Sequence, residues 1–126
     1  MNKKFLILVV VLLLLVGCGK KEEKEIKSGK VTCGQMKTIM KYDNNPVLID
    51  VRTAEEYAEG HLDDAINIPY DVIVNPGVTT MENIKEDTPI VVYCKSGNRS
   101  GQAYNSLKMA GYKNVYDLGA MSNCKN

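Results

Sequence analysis

The chain has a single histidine, no CxxC pair and no Cys–His cluster at zinc-finger spacing, so neither a metal site nor a cofactor is expected. It has no basic stripe interleaved with aromatic residues, the electrostatic footprint that nucleic-acid binding requires. Internal repeats are absent, and 126 residues leave room for one small domain. The one long apolar run, Phe5 to Val16 (FLILVVVLLLLV), is well short of the roughly 20 residues that span a bilayer.

That run has the form of an export leader instead. It follows a short basic start, Met1 to Lys4, and ends in LVGC. Small residues before a cysteine at this place resemble the lipobox of bacterial lipoproteins. The resemblance implies that residues 1–17 are a signal peptide cut off after Gly17. Cys18 then becomes the acylated N-terminus, bearing palmitate-type lipid, and the chain sits anchored at the cell membrane facing out of the cytoplasm. The competing reading is an ordinary signal peptide with a chance cysteine. Residues 18–30 include the charged stretch GKKEEKEIKSGK, which has too little apolar surface to fold. They are expected to be a flexible tether, with a domain over 31–126. Charge divides along the same line. Residues 1–30 hold seven lysines against three glutamates, whereas 31–126 hold nine Lys and Arg against twelve Asp and Glu. A mildly acidic domain again points away from nucleic acid.

Within the domain, PVLIDVR (46–52) and TPIVVYC (88–94) are short, β-branched and almost wholly apolar, the pattern of strands buried on both faces of a parallel sheet. NVYDL (114–118), AINIP (65–69) and KVT (30–32) are further strand candidates. Helix starts are marked by Thr53 with Glu56, Thr32 with Gln35, and Thr79 with Glu82, each a capping-box spacing. Ser100 is expected to cap a further helix over GQAYNSLKMAG, whose Ala103, Leu107 and Ala110 share a face. Gly60 and Gly111 mark helix ends. Strands alternating with helices predict an α/β domain with a mostly parallel sheet, and sites in such sheets lie at the carboxyl ends of the strands.

Cys94 stands at such an end. It is followed by Lys95, Ser96, Gly97, Asn98 and Arg99, then by the expected helix. A loop of this kind can turn several backbone N–H groups toward the sulfur, with the positive end of the helix behind them. Gly97 permits a backbone conformation that side chains disfavour, and Lys95 and Arg99 supply positive charge. All of these favour thiolate over thiol, and the same cradle suits an anion. The plainer alternative is an inert, buried core cysteine.

The series LIDVR…EY..GHL..AINIP, then VVYCKSGNRS, then L…GY.NVYDLGAMS, resembles the rhodanese-like sulfurtransferases over essentially all of residues 31–126. The resemblance implies a central five-stranded parallel sheet with helices on both faces. It also implies the chemistry, in which Cys94 takes sulfane sulfur from a donor such as thiosulfate, becomes a persulfide and passes the sulfur to a thiol or protein acceptor. Residues 95–99 would cradle the sulfur, and Asp50 and Arg52 would support the site, with Asp50 organising the loop by hydrogen bonding. Arg52 could equally pair with Asp50, Glu55 or Glu56. His61 belongs to a structural turn, the tyrosines are read as packing, and a monomer is expected. Related phosphatases and arsenate reductases place five residues between Cys and Arg. Here there are four, too tight a ring for phosphate, so sulfur transfer is favoured. A non-catalytic sulfur-carrier or partner-binding module is the other alternative. The chain departs from the family pattern in the turn at Asp63 and Asp64 and in Ala120, where a second glycine is usual.

With Cys18 acylated, three thiols remain, so one is meant to stay free or all are reduced. The fold implied by the resemblance makes the first and last strands neighbours. A Cys33–Cys124 disulfide is therefore expected, the rival being that one of them resolves the Cys94 persulfide.

Overall fold

The computed structural model describes residues 25–75, 81 and 83–124. The leader, Cys18, Thr79 and Glu82 lie outside the described residues.

The apolar runs form one sheet of five strands: β1 (Gly29–Lys30), β2 (Val47–Asp50), β3 (Ile66–Asn67), β4 (Ile90–Cys94) and β5 (Val115–Ala120). Their order is β1-β5-β4-β2-β3, and every pairing is parallel. Between them run α1 (Cys33–Tyr42), α2 (Ala54–Glu59), α3 (Tyr70–Val74) and α4 (Asn98–Met109), and a 3-10 turn, Met121–Cys124, follows β5. The α/β class and the five-stranded parallel sheet are as expected.

Strand alternation sorts the core into two layers. Leu48, Val91, Tyr93, Tyr116 and Leu118 meet Met36 and Ile39 of α1 on one face. Ile49, Val51, Ile90, Val92, Cys94 and Val115 meet Ala103 and Leu107 of α4 on the other. Cys94 and Tyr93, adjacent in β4, therefore point to opposite faces. Burying one leucine such as Leu107 contributes about 1.5–3 kcal/mol. A register shift opposite Val92 and Tyr93 leaves Leu118 as an extra residue in β5. This bulge brings Gly119 level with Tyr93 and Ala120 level with Cys94.

Two helix starts follow the capping-box expectation. The Thr32 hydroxyl accepts from Gln35 N–H at 3.1 Å while Gln35 Oε1 accepts from Thr32 N–H at 2.9 Å. Thr53 and Glu56 do the same at 3.2 and 3.3 Å.

Four boundaries differ from expectation. β1 is Gly29–Lys30, inside the stretch read as tether. Ile26 packs against the core, and the Ser28 hydroxyl donates to Val115 C=O at 2.6 Å, so the ordered domain starts before residue 31. Residue 81 and residues 83–85 form a turn, not a helix, closed by Ile84 N–H to Met81 C=O at 2.9 Å. α3 is a helix of five residues that was not expected; one and a half turns give no apolar period to detect. α4 starts at Asn98, with Gly97 and not Ser100 at its N-cap, and ends at Met109, leaving Ala110 as an exposed C-cap off the buried face.

Cys33 and Cys124 form a disulfide with a Cα–Cα distance of 5.3 Å. It ties the first residue of α1 to the end of the chain's last turn across 91 positions of sequence. Closing so long a loop restricts the unfolded chain. Cys33→Ser with Cys124→Ser is expected to lower unfolding free energy by about 2–5 kcal/mol. Urea titration of the variant against oxidised wild type checks this, and equal midpoints would show that the bridge is energetically idle.

Candidate active site

Cys94 closes β4 and is wholly buried, at 0% exposure. It is the free cysteine among the described residues. The chain leaves the strand, turns through Lys95 and Ser96, and enters α4 by way of Gly97 at φ 99°, where glycine is the favoured residue. That turn aims Gly97 N–H at Cys94 Sγ, 2.9 Å away. A Cβ at Gly97 would stand in ordinary contact with Gly119 Cα, at 3.7 Å, so the positive φ and not lack of space favours glycine. The β5 bulge thus forms the wall behind the loop.

Ser100 was expected as a helix cap and has another place. It lies in the first turn of α4, fully buried, with Oγ 3.5 Å from Cys94 Sγ and donating to Gly97 C=O at 3.1 Å. With a thiol present, the S–H donates to this hydroxyl. With a thiolate, the hydroxyl turns and donates to sulfur. Burial pushes the Cys94 thiol up, but hydrogen bonds from the Ser100 hydroxyl and from the N–H groups of Ser100, Gly97 and Ser96 outweigh it. The net effect is a thiol more acidic than usual.

The pH dependence follows from the sign. A depressed thiol pKa keeps reactive thiolate present further into neutral pH, so the alkylation rate should rise with pH through a midpoint below that of an ordinary thiol. Ser100→Ala removes a donor that favours the charged form and should move that midpoint upward. Iodoacetamide trapping across pH, read by intact mass, checks it; an unmoved midpoint would remove Ser100 from the thiolate's support.

The remaining loop residues divide. Lys95 and Ser96 are exposed, and Asn98 accepts from Gln102 at 3.3 Å, out on the helix surface. Arg99 does not reach the sulfur by any hydrogen bond. It makes a two-pronged pair with Glu56 of α2, Nη1 to Oε1 at 2.6 Å and Nη2 to Oε2 at 3.0 Å. The Arg99 guanidinium holds the Glu56 carboxyl down at about 2, against partial burial. In the sequence Glu56 shows only as a helix cap and as one of three candidate partners of Arg52.

Asp50 and Arg52 form a separate construction on the opposite face, and neither is hydrogen-bonded to the Cys94 loop. Asp50 accepts from Arg52 N–H, Nε and Nη2 and from the Tyr93 hydroxyl, at 2.7–3.1 Å. Arg52 reaches on to Gly60 C=O, and Leu62 N–H donates to the Tyr93 oxygen at 3.0 Å. The carboxylate thus organises the turn after α2, not the cysteine loop as expected. Tyr93, read as packing, is a polar strut. His61 stacks on Tyr57 at 3.7 Å and its Nδ1 donates to Tyr57 C=O at 2.9 Å, fixing that same turn. Asp64 takes a left-handed conformation (φ 66°) in a turn closed by Ala65 N–H to Leu62 C=O. Aspartate tolerates that conformation better than most residues.

The model of the rhodanese-like domain family matches residues 33–124. The chain belongs to the rhodanese-like family. The thiosulfate sulfurtransferase PspE of Escherichia coli is 40% identical over 73 residues, covering 58% of this chain and 68% of PspE. An adenylyltransferase and sulfurtransferase, uba4 of Ogataea parapolymorpha, is 34% identical over 104 residues. Those residues are 82% of this chain, which spans only a quarter (25%) of that relative's length. Among solved structures, a rhodanese with anions from E. coli superposes with a TM-score of 0.55 at 32% identity, covering 62% of this chain and 89% of that one. In this rhodanese-like chain the Cys94 loop is held by Gly97, Ser100 and the Glu56–Arg99 pair, while the Asp50–Arg52–Tyr93 network holds the turn after α2.

Proposed function

We propose that this rhodanese-like chain is a sulfurtransferase that moves sulfane sulfur from a donor such as thiosulfate to a thiophilic acceptor through a persulfide on Cys94. The observation that carries the reading is the cradle around Cys94, in which Gly97 N–H lies 2.9 Å from a buried sulfur at the end of a parallel strand. In the first step the Cys94 thiolate attacks the outer sulfur of thiosulfate. A new S–S bond forms, the old one breaks, and sulfite leaves with its electron pair; no proton moves. In the second step a thiolate, a protein acceptor or cyanide attacks the outer sulfur and returns the Cys94 thiolate. Loop amides and the N-terminus of α4 stabilise negative charge on sulfur throughout. The sulfurtransferase name of PspE and the anions in the E. coli rhodanese structure support this reading.

Thiocyanate formation from thiosulfate and cyanide, with intact mass after thiosulfate alone, tests it. One added sulfur with turnover supports the enzyme. One added sulfur without turnover makes the chain a sulfur carrier, and neither signal in folded, reduced protein removes the reading.

The location is proposed with it: a leader ending at Gly17, lipid on Cys18 and a domain outside the cytoplasm. Cys18→Ala is expected to abolish labelling by palmitate in cells. Undiminished labelling would sink the anchor.

A further inference from the structure

Three cations stand in the sequence motifs that mark the site, and the fold treats them differently. Arg52 is paired with Asp50 on the far face of the sheet, and Arg99 is paired with Glu56. Lys95, exposed and next to Cys94, makes no ion pair among the described residues. With Cys94 as thiolate, the formal charges of Cys94, Lys95, Arg99 and Glu56 cancel. A dianionic donor therefore approaches a thiolate with one cation outside any described ion pair beside it, helped by the loop amides and the N-terminus of α4.

We propose that Glu56 is a specificity-determining residue of this site: by pairing with Arg99 it withholds a positive charge from the Cys94 loop and tunes the loop to donors of low negative charge, such as organic persulfide monoanions, over the dianion thiosulfate. The proposal rests on the sulfurtransferase reading and refines its donor class. For such a donor, R–S–S⁻, the Cys94 thiolate attacks the terminal sulfur. The Cys94–S bond forms, the R–S to sulfur bond breaks, and RS⁻ departs with the electron pair, so total charge is unchanged.

Glu56 acts through Arg99, so it is a positioning and charge-setting residue and need not touch the donor. The substitution Glu56→Gln isolates this role. Glutamine serves at the third position of a capping box as glutamate does, so α2 keeps its start while Arg99 loses its counter-charge. Glu55→Gln removes the same charge one residue away, from an exposed side chain outside the Arg99 pair.

The test is single-turnover sulfur loading of the full chain, followed by intact mass, with thiosulfate and with the persulfide of 2-mercaptoethanol as donors. Each donor is judged by its variant-to-wild-type ratio, so intrinsic donor reactivity cancels. Glu56→Gln should speed loading from thiosulfate by about fivefold at low salt, with the gain shrinking as salt rises. Loading from the persulfide should change by less than about twofold, and Glu55→Gln should leave both rates in place. An unchanged or slower thiosulfate rate in Glu56→Gln, or an equal change with both donors, would overturn the proposal by reducing Glu56 to a structural tie. Failure of wild type to gain sulfur from either donor would instead overturn the sulfurtransferase reading beneath it.

Discussion

Replacing Cys94 with alanine is expected to lower thiocyanate formation by at least about a thousandfold and to abolish the added sulfur seen by mass. No other described thiol stands ready to take over, because Cys33 and Cys124 are bonded to each other. The buried site loses only one sulfur atom, so the variant should fold. Cys94→Ser should be almost as inactive, since a hydroxyl is far less acidic than a thiol and its oxygen far less nucleophilic toward sulfur. A Cys94→Ala protein that still took up one sulfur would place the nucleophile elsewhere and end the persulfide assignment.

Asp50→Ala should have the largest effect on stability and little on the chemistry. The Asp50 side chain is fully buried and accepts from Arg52 and Tyr93. Its removal leaves a buried guanidinium without a counter-charge and a tyrosine hydroxyl without its acceptor, a loss of about 3–5 kcal/mol. For a domain of this size the melting temperature should fall on the order of 20 °C. Replacing Asp50 and Arg52 together with apolar residues should cost much less, because no lone charge remains. Since the network lies on the face away from Cys94, the folded fraction of Asp50→Ala should still load sulfur. Urea unfolding with loading per folded molecule measures both quantities. A stability loss below about 1 kcal/mol would show that water replaces the carboxylate.

What was legible in the sequence followed from local physics. β2 and β4 announce themselves because strands buried on both faces need unbroken β-branched runs. The starts of α1 and α2 are visible because their capping boxes close within three residues. Cys94 and Gly97 could be singled out because the end of a strand and a permissive backbone are themselves local signals. What was missed depends on the fold. Glu56 and Arg99 are 43 positions apart, and nothing in either neighbourhood names the other. Tyr93 sits in an apolar run, where its hydroxyl leaves no trace until β2 brings Asp50 alongside. Ser100 misled because a serine at a helix start is ordinarily a cap, whereas this one faces the sulfur and leaves the capping position to Gly97.

An all-parallel sheet has a head and a tail. Gly29, which opens β1, lies level with Val91 of β4 through Tyr116, and Cys94 stands three residues further toward the carboxyl end, about 10 Å along the sheet. A chain held at a membrane by Cys18 would therefore be fastened on the side of the amino ends of the strands, and Cys94 stands at their carboxyl ends.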